Sequence, residues 1–196
     1  MTRLVLIRHA PTIWNEAGRI QGRSDTPLSA NGKAMAASWR LPAPWRDWPV
    51  FASPLARARD TARLMRLAVT REDNRLIEMD WGRWAGETLA ELRAREGEAM
   101  ARNEAQGLDF RPEGGESPRE VTLRLAAFLR DVSGENCIAV THRGVIRAAL
   151  VLATGWDMRG PPPLHMARDE ALILALSASG EAHLARPARC SLESVS

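Results

Sequence analysis

The sequence predicts an α/β fold with a mostly parallel central sheet. Short apolar runs rich in β-formers, at residues 3–7, 50–52 and 137–140, alternate with stretches of helical periodicity. The first and last of these runs are apolar rather than alternating, as in strands covered on both faces. The clearest helical stretches each carry one apolar stripe, as helices laid on a sheet do.

The elements follow in order. Residues 3–7 form the first strand, and a polar loop with Pro11, Gly18, Gly22 and Pro27 comes next. Ser29 can cap a helix running to about residue 40. Residues 41–49 hold three prolines and two tryptophans and read as a connector. After the second strand, Pro54 stands where a first helical turn tolerates it. Leu55, Ala58, Ala62, Met65 and Val69 share one helical face, so that helix is expected to reach residue 69. Residues 75–78 are expected to form a third short strand. Thr88 with Glu91, and Ser117 with Glu120, match capping boxes, so helices begin near residues 89 and 118. Val121, Leu125, Phe128, Leu129 and Val132 give the second of these its buried stripe. Residues 137–140 form another strand, and residues 144–153 an apolar helix stopped by Gly155. Residues 171–176 and 182–184 are expected to pair as a hairpin around Ser179-Gly180. The resulting plan is one domain over residues 1–186, a helical insertion at about 85–116, and a loose tail over 187–196 with little apolar content.

Composition narrows the function classes. The 196 residues suit one domain with a sizeable core, and 45% apolar with 26% charged residues is a soluble globular balance. Net charge is +3, and Lys33 is the only lysine. An arginine bias suits phosphate binding, although a base-composition bias produces it too. The arginines are scattered among acids rather than gathered on an aromatic-bearing face, so no nucleic-acid partner is expected. No run reaches the ~20 apolar residues of a membrane span, so no membrane partner is expected. The first ten residues lack a signal peptide's apolar length, which gives a cytoplasmic expectation. Cys137 and Cys190 make neither a disulfide framework nor a zinc site. There is no His-Glu-x-x-His and no Walker loop, so no metal and no cofactor is expected. Oligomeric state is not legible.

Chemistry concentrates at the ends of the expected strands. His9 directly follows the first, and His142 follows residues 137–140 with Thr141 between. Ligands of open parallel sheets bind outside the carboxyl ends of the strands, so both imidazoles can face one crevice. Arg57 and Glu78 also follow expected strands. Arg57 stands apart from Arg59, Arg63 and Arg66: at about 100° per residue it points at least about 120° away from all three. Arg8 and Arg57 offer planar forks for phosphate oxygens. A neutral imidazole attacks phosphorus well when its other ring nitrogen is held, and a protonated second histidine can donate to a phosphoryl oxygen. Phosphoryl transfer needs positioning and charge neutralisation above all, which two guanidiniums and an imidazolium can supply. A carboxylic acid such as Glu78 can protonate the departing alkoxide. Helix N-termini after Pro54 and at Arg143 add anion affinity. Trp14, Trp81 and Trp84 read as core or rim packing, and His165 and His183 receive no role.

The run Leu6-Ile-Arg-His-Ala-Pro-Thr-Ile-Trp-Asn15 resembles the start of the histidine phosphatase superfamily, also called phosphoglycerate-mutase-like. The resemblance continues through Gly18-Arg-Ile-Gln-Gly22, Ser53-Pro-Leu-Ala-Arg57, Glu78-Met-Asp-Trp-Gly82 and Val140-Thr-His-Arg-Gly144, and covers residues 4 to about 150. It implies a three-layer α/β/α sandwich with a small helical cap. It also implies that His9 is the phosphorylated nucleophile, that Arg8, Arg57 and His142 complete the phosphate pocket, and that Glu78 is the proton donor. Asn15, Gln21 and Gly22 match positions lining the phosphate site, and Arg143 follows the second histidine. Ala10 replaces a usual glycine, Ala85 a frequent glutamate, and Arg143 a frequent glycine.

The function expected is a metal-independent phosphomonoesterase acting on a small phosphorylated metabolite. Alternatives are phosphoglycerate mutase-type transfer, or an alpha-ribazole or protein phosphohistidine phosphatase as the specific role. A non-catalytic phosphate binder ranks lower, since His9, Glu78 and His142 are all present.

Overall fold

The computed structural model describes residues 1–192. Six strands form one sheet in the order β3-β2-β4-β1-β5-β6. They are β1 Thr2–Arg8, β2 Val50–Ala52, β3 Val69–Glu72, β4 Cys137–Thr141, β5 Glu170–Leu176 and β6 Ala182–Ser191. The first four in spatial order are parallel; β5 runs antiparallel to both β1 and β6.

The period of two along β1 divides the core. Leu4 and Leu6 pack with Val121, Leu125 and Phe128 of helix α6 (Pro118–Asp131) and with Val145 and Ala149 of α7 (Arg143–Thr154). Val5 and Ile7 pack on the opposite face with Ala36 of α2 (Ala30–Ser38) and Ala58 and Ala62 of α3 (Ala56–Leu64). The result is a three-layer α/β/α sandwich with a mostly parallel sheet. All four β1 side chains are fully buried, each stabilising the fold by roughly 1.5–3 kcal/mol. Helix starts follow their caps. Ser29 accepts from Gly32 N–H, and capping boxes close on Thr88–Glu91 and Ser117–Glu120. A one-turn helix, α1 (Ile13–Glu16), lies in the loop after β1 and is closed by a box between Thr12 and Asn15.

The stretch over residues 85–116 holds α4 (Leu89–Glu96), α5 (Glu98–Glu104) and a 3-10 turn at Gly107–Asp109. Trp84, Leu92 and Met100 form their own small core there, with Trp81 and Phe110 against it. The stretch is stitched to the loop after β1 by Ile20 N–H to Glu87 C=O (2.8 Å) and Gly86 N–H to Ile20 C=O (2.7 Å). Among the described residues no helix is long and apolar enough to cross a membrane.

Three expectations are corrected. Helix α3 stops at Leu64 because Arg66 adopts a left-handed φ of 61° and turns the chain back. The β-branched residues Val69 and Thr70 then begin the exposed edge strand β3. Residues 75–78 are not a strand. Asp73 accepts from the Arg75 N–H at 2.9 Å and grips its guanidinium, folding Asn74–Leu76 into a 3-10 turn. The tail is not loose from residue 187: β6 continues to Ser191, with Ala171 opposite Cys190 and Glu170 opposite Ser191. The polar residues there alternate along a half-exposed strand, which reads as low apolar content in one dimension. Residues 193–196 of that expected tail lie outside the described residues.

Leu192 fixes this end of the chain. It is fully buried in the α2–α3 core, donates to Asp169 C=O at 2.7 Å, and accepts from Arg40 N–H at 3.0 Å. Leu192→Ala is therefore expected to cost about 2–5 kcal/mol in urea unfolding. A leucine on a loose tail would cost within about 0.5 kcal/mol.

Candidate active site

The parallel register of β1 on β4 runs from Leu4 opposite Cys137 to Arg8 opposite Thr141. The next residue on each chain is a histidine, so His9 and His142 lie side by side, with ring centroids 5.2 Å apart. His9 Nδ1 lies 2.8 Å from the Ala10 carbonyl. A carbonyl only accepts, so Nδ1 carries the proton and Nε2 keeps its lone pair. The backbone on either side is tied down: His9 N–H donates to Thr141 C=O (2.9 Å) and Ala10 N–H to Thr61 Oγ1 (3.0 Å). On His142, Nε2 is 2.7 Å from Ser53 Oγ, while Nδ1 is buried without a protein partner. With the Ser53 hydroxyl donating, the ring proton sits on Nδ1, the atom free to serve a phosphoryl oxygen.

Arg57 lies in the first turn of the helix after β2 and is 1% exposed. Its Nη1 donates to Ser24 C=O (2.8 Å) and its Nη2 to Gly22 C=O (2.7 Å), with the Asp25 carboxylate at 3.8 Å. Asp25 is half spent on the helix itself, accepting from Ala56 N–H at 2.7 Å. The guanidinium is thus aimed by neutral carbonyls and keeps most of its charge. Arg57 Nε and Arg8 Nε are both buried without a partner. Native proteins rarely leave buried donors unsatisfied, so this group marks a place built for an acceptor.

Glu78 leaves the 3-10 turn, not a strand, and is 8% exposed. Its Oε1 accepts from Met79 N–H (2.8 Å) and Gly144 N–H (3.0 Å), which leaves Oε2 the less engaged oxygen, 3.3 Å from Gly144 N. The carboxylate is felt by both Arg8 and Arg57, so it belongs to the same cluster. A Cβ on Gly144 would fall 2.3 Å from Oε1. Glycine there is a steric requirement for seating Glu78.

The remaining sequence candidates divide. Gly22 takes part through its carbonyl, which holds Arg57. Gln21, which precedes Gly22, is buried, and its Oε1 accepts from the Thr26 hydroxyl at 2.7 Å. Asn15 Oδ1 accepts from Thr12 N–H (3.2 Å) and lies 3.5 Å from Arg168 Nη1. Arg143 is exposed at the first position of α7, its charge felt by Arg8. Three residues escaped the role assignments. Ser53 and Gly144 sit inside recognisable motifs, so their neighbours carried a signal for them. Arg168 lies in a loop with no pattern around it. Among the described residues, no three His, Cys, Asp or Glu side chains are grouped as metal ligands.

Electrostatically the cluster is an anion hole. Burial, then the charges of Arg57 and Arg8, hold His9 well below the ordinary histidine range. Burial, then His9 and Arg57, hold His142 low as well. Burial, then Arg168 and Arg143, pull Arg8 down to about 9, still charged at neutral pH. A neutral imidazole with a free Nε2 is therefore set among cations whose charge no nearby carboxylate fully offsets. That arrangement suits attack on a phosphorus centre, with the pocket's cations bearing the charge of the phosphoryl oxygens.

Comparison with known proteins shows which family the chain is similar to. The profile of the histidine phosphatase superfamily (branch 1) matches residues 4–186. A 2,3-bisphosphoglycerate-dependent phosphoglycerate mutase 2 of Gloeobacter violaceus is 35% identical over 77% of this chain and 75% of its own length. Phosphoserine phosphatase 1 of Hydrogenobacter thermophilus is 34% identical over 81% and 79%. Among solved structures, mycobacterial glucosyl-3-phosphoglycerate phosphatase in complex with VO3 superposes with a TM-score of 0.73 at 28% identity, covering 89% of this chain and 93% of that one.

Two outcomes are expected. Below about pH 6.5 the unfolded chain binds protons that native His9 and His142 refuse, so stability falls as pH falls. The slope approaches about 1.4 kcal/mol per pH unit for each ring. Urea midpoints at pH 7.5 and 5.5 measure it, and His142→Asn should flatten the slope. Gly144→Ala should displace Glu78 and lower kcat by about 10²-fold or more, with an unchanged circular dichroism spectrum.

Proposed function

The chain belongs to the histidine phosphatase superfamily, as a phosphoric monoester hydrolase, and from that premise we propose that it works through a phosphohistidine on His9, without a metal ion, on a small phosphorylated metabolite. The observation that carries this reading is the set of buried, unpartnered donors (Arg8 Nε, Arg57 Nε and His142 Nδ1) in one cluster with an imidazole whose Nε2 is free.

In the first half-reaction the His9 Nε2 lone pair attacks phosphorus in line with the ester oxygen. The P–N bond forms as the P–O bond breaks, and Glu78 gives its proton to the leaving oxygen. The Nδ1–H bond to Ala10 C=O steadies the charged ring. In the second half-reaction water attacks phosphorus while the Glu78 carboxylate takes the water's proton. The P–N bond breaks, its electron pair returns to Nε2, and orthophosphate departs with Glu78 again protonated. Arg8, Arg57 and His142 bear the charge of the phosphoryl oxygens throughout. Preorganised donors in a water-poor pocket supply such stabilisation at little reorganisation cost.

The test is hydrolysis of p-nitrophenyl phosphate. Activity should persist in EDTA, be blocked by vanadate, and fall by about 10⁴-fold or more in His9→Ala, with acid-labile phosphate trapped on the wild-type chain but not on the variant. Dependence on added magnesium, or a His9→Ala variant within tenfold of wild type, would overturn the reading. Isomerisation of phosphoglycerate with little free phosphate would favour mutase-type transfer instead.

A further inference from the structure

We infer that Arg124 and Glu116 form a clamp that positions Glu78 for proton donation, so that Arg124 is a positioning residue of the reaction. The inference rests on the proposed function for the role of Glu78 and adds what holds that residue in place.

Glu78 has no regular element of its own. It lies between the 3-10 turns Asn74–Leu76 and Gly82–Trp84, on a stretch that joins no strand. Without a ladder of backbone hydrogen bonds, side chains must fix its path. Arg124, on α6, spends its whole guanidinium on that task. Its Nη1 donates to Arg75 C=O at 2.6 Å, three residues before Glu78. Its Nε and Nη2 donate to the two oxygens of Glu116 at 2.8 and 3.0 Å, a bidentate pair. Glu116 in turn holds Asp80, two residues after Glu78, at two points. Its carboxylate accepts from Asp80 N–H at 3.3 Å, and its own N–H donates to Asp80 C=O at 2.8 Å. One ion pair thus grips the chain on both sides of the acid.

The backbone is shaped for this grip. A Cβ on Gly115 would fall 2.6 Å from the Asp80 carbonyl oxygen, and one on Gly82 would fall 2.1 Å from that of Glu113. Two glycines therefore let residues 113–116 lie directly on residues 80–82. Thr141 adds a tie of its own, its hydroxyl donating to Leu76 C=O at 2.7 Å one residue before His142. The Arg124 and Glu116 side chains are 17% and 13% exposed, so water competes little for the pair. The Arg124 charge is also felt at His142, after burial, His9 and Arg57. A general acid acts only within hydrogen-bond reach of the leaving oxygen, and a misplacement of about 1 Å costs about 10²-fold. Lysine at position 124 would keep the charge, but its single ammonium lacks the fork that spans both Glu116 oxygens and the Arg75 carbonyl.

The experiment compares two esters on the full chain. p-Nitrophenolate leaves as a stable anion, whereas the alkoxide of benzyl phosphate must be protonated as it departs. The constant kcat/KM reports formation of the phosphohistidine and is blind to the later attack of water. In Arg124→Lys it should fall by about 10²-fold for benzyl phosphate and by less than about tenfold for p-nitrophenyl phosphate. Glu116→Gln should show the same selective fall, and Glu78→Gln should show it in full. Added to Glu78→Gln, Arg124→Lys should move the ratio of the two esters no further, as for residues acting through one another. Equal falls on both esters in either folded clamp variant, or a further change of ratio on the Glu78→Gln background, overturn the clamp alone. Equal falls in Glu78→Gln itself would remove Glu78 as the acid, and the clamp with it.

Discussion

The parallel pairing of β1 with β4 is the constraint from which the site follows. Both strands are buried on two faces, and side chains alternate between those faces. A slip of one residue would exchange Leu4 and Leu6 with Val5 and Ile7 between two differently shaped cores. Packing therefore fixes the register, and the register sets two imidazoles one residue beyond the last pair. The site's central distance is a by-product of core packing at a remove of several residues.

Around that pair the chain accumulates positive charge that it does not neutralise. Arg57 is seated by carbonyls, with one carboxylate at the edge of ion-pair range. Arg8 lies near four other groups, three of them cationic. Elsewhere the same sequence pairs its arginines readily, as with Arg119 on Asp109 and Arg93 on Glu104. What sets the pocket's arginines apart is burial: Arg57 is almost wholly covered, and the Nε atoms of Arg8 and Arg57 are buried without a partner. The fold tolerates the charge because β1, β4 and the helices beneath them supply the apolar burial.

Much of this was legible in one dimension. The apolar runs of β1 and β4 and the capping boxes at Thr88 and Ser117 are local signals, and they read correctly. What the sequence did not reveal had both local and tertiary causes. The stripe through Val69 had the right spacing for a helix, but Arg66 breaks it by backbone conformation, which spacing does not encode. Glu78 reaches the site from a turn made by Asp73 and Arg75, a side-chain device that mimics a strand end. The polar end of β6 is held by pairing with a strand that precedes it, and such pairing has no signature in the segment itself. Arg168 belongs to the cluster only because the loop before β5 passes beside the loop after β1, a closeness set by tertiary structure.

The carbonyl-held guanidinium of Arg57 ties the molecule's durability to its surroundings. A pocket whose cations are incompletely compensated is a standing strain, and any small oxyanion that lodges there acts as a counterion to the native state alone. At a hundred times its dissociation constant such an ion adds about 2.7 kcal/mol to the folded form. Orthophosphate, the product of the proposed reaction, would then both slow turnover and lengthen the life of the protein, so the medium's phosphate content would govern how long the chain lasts as well as how fast it works.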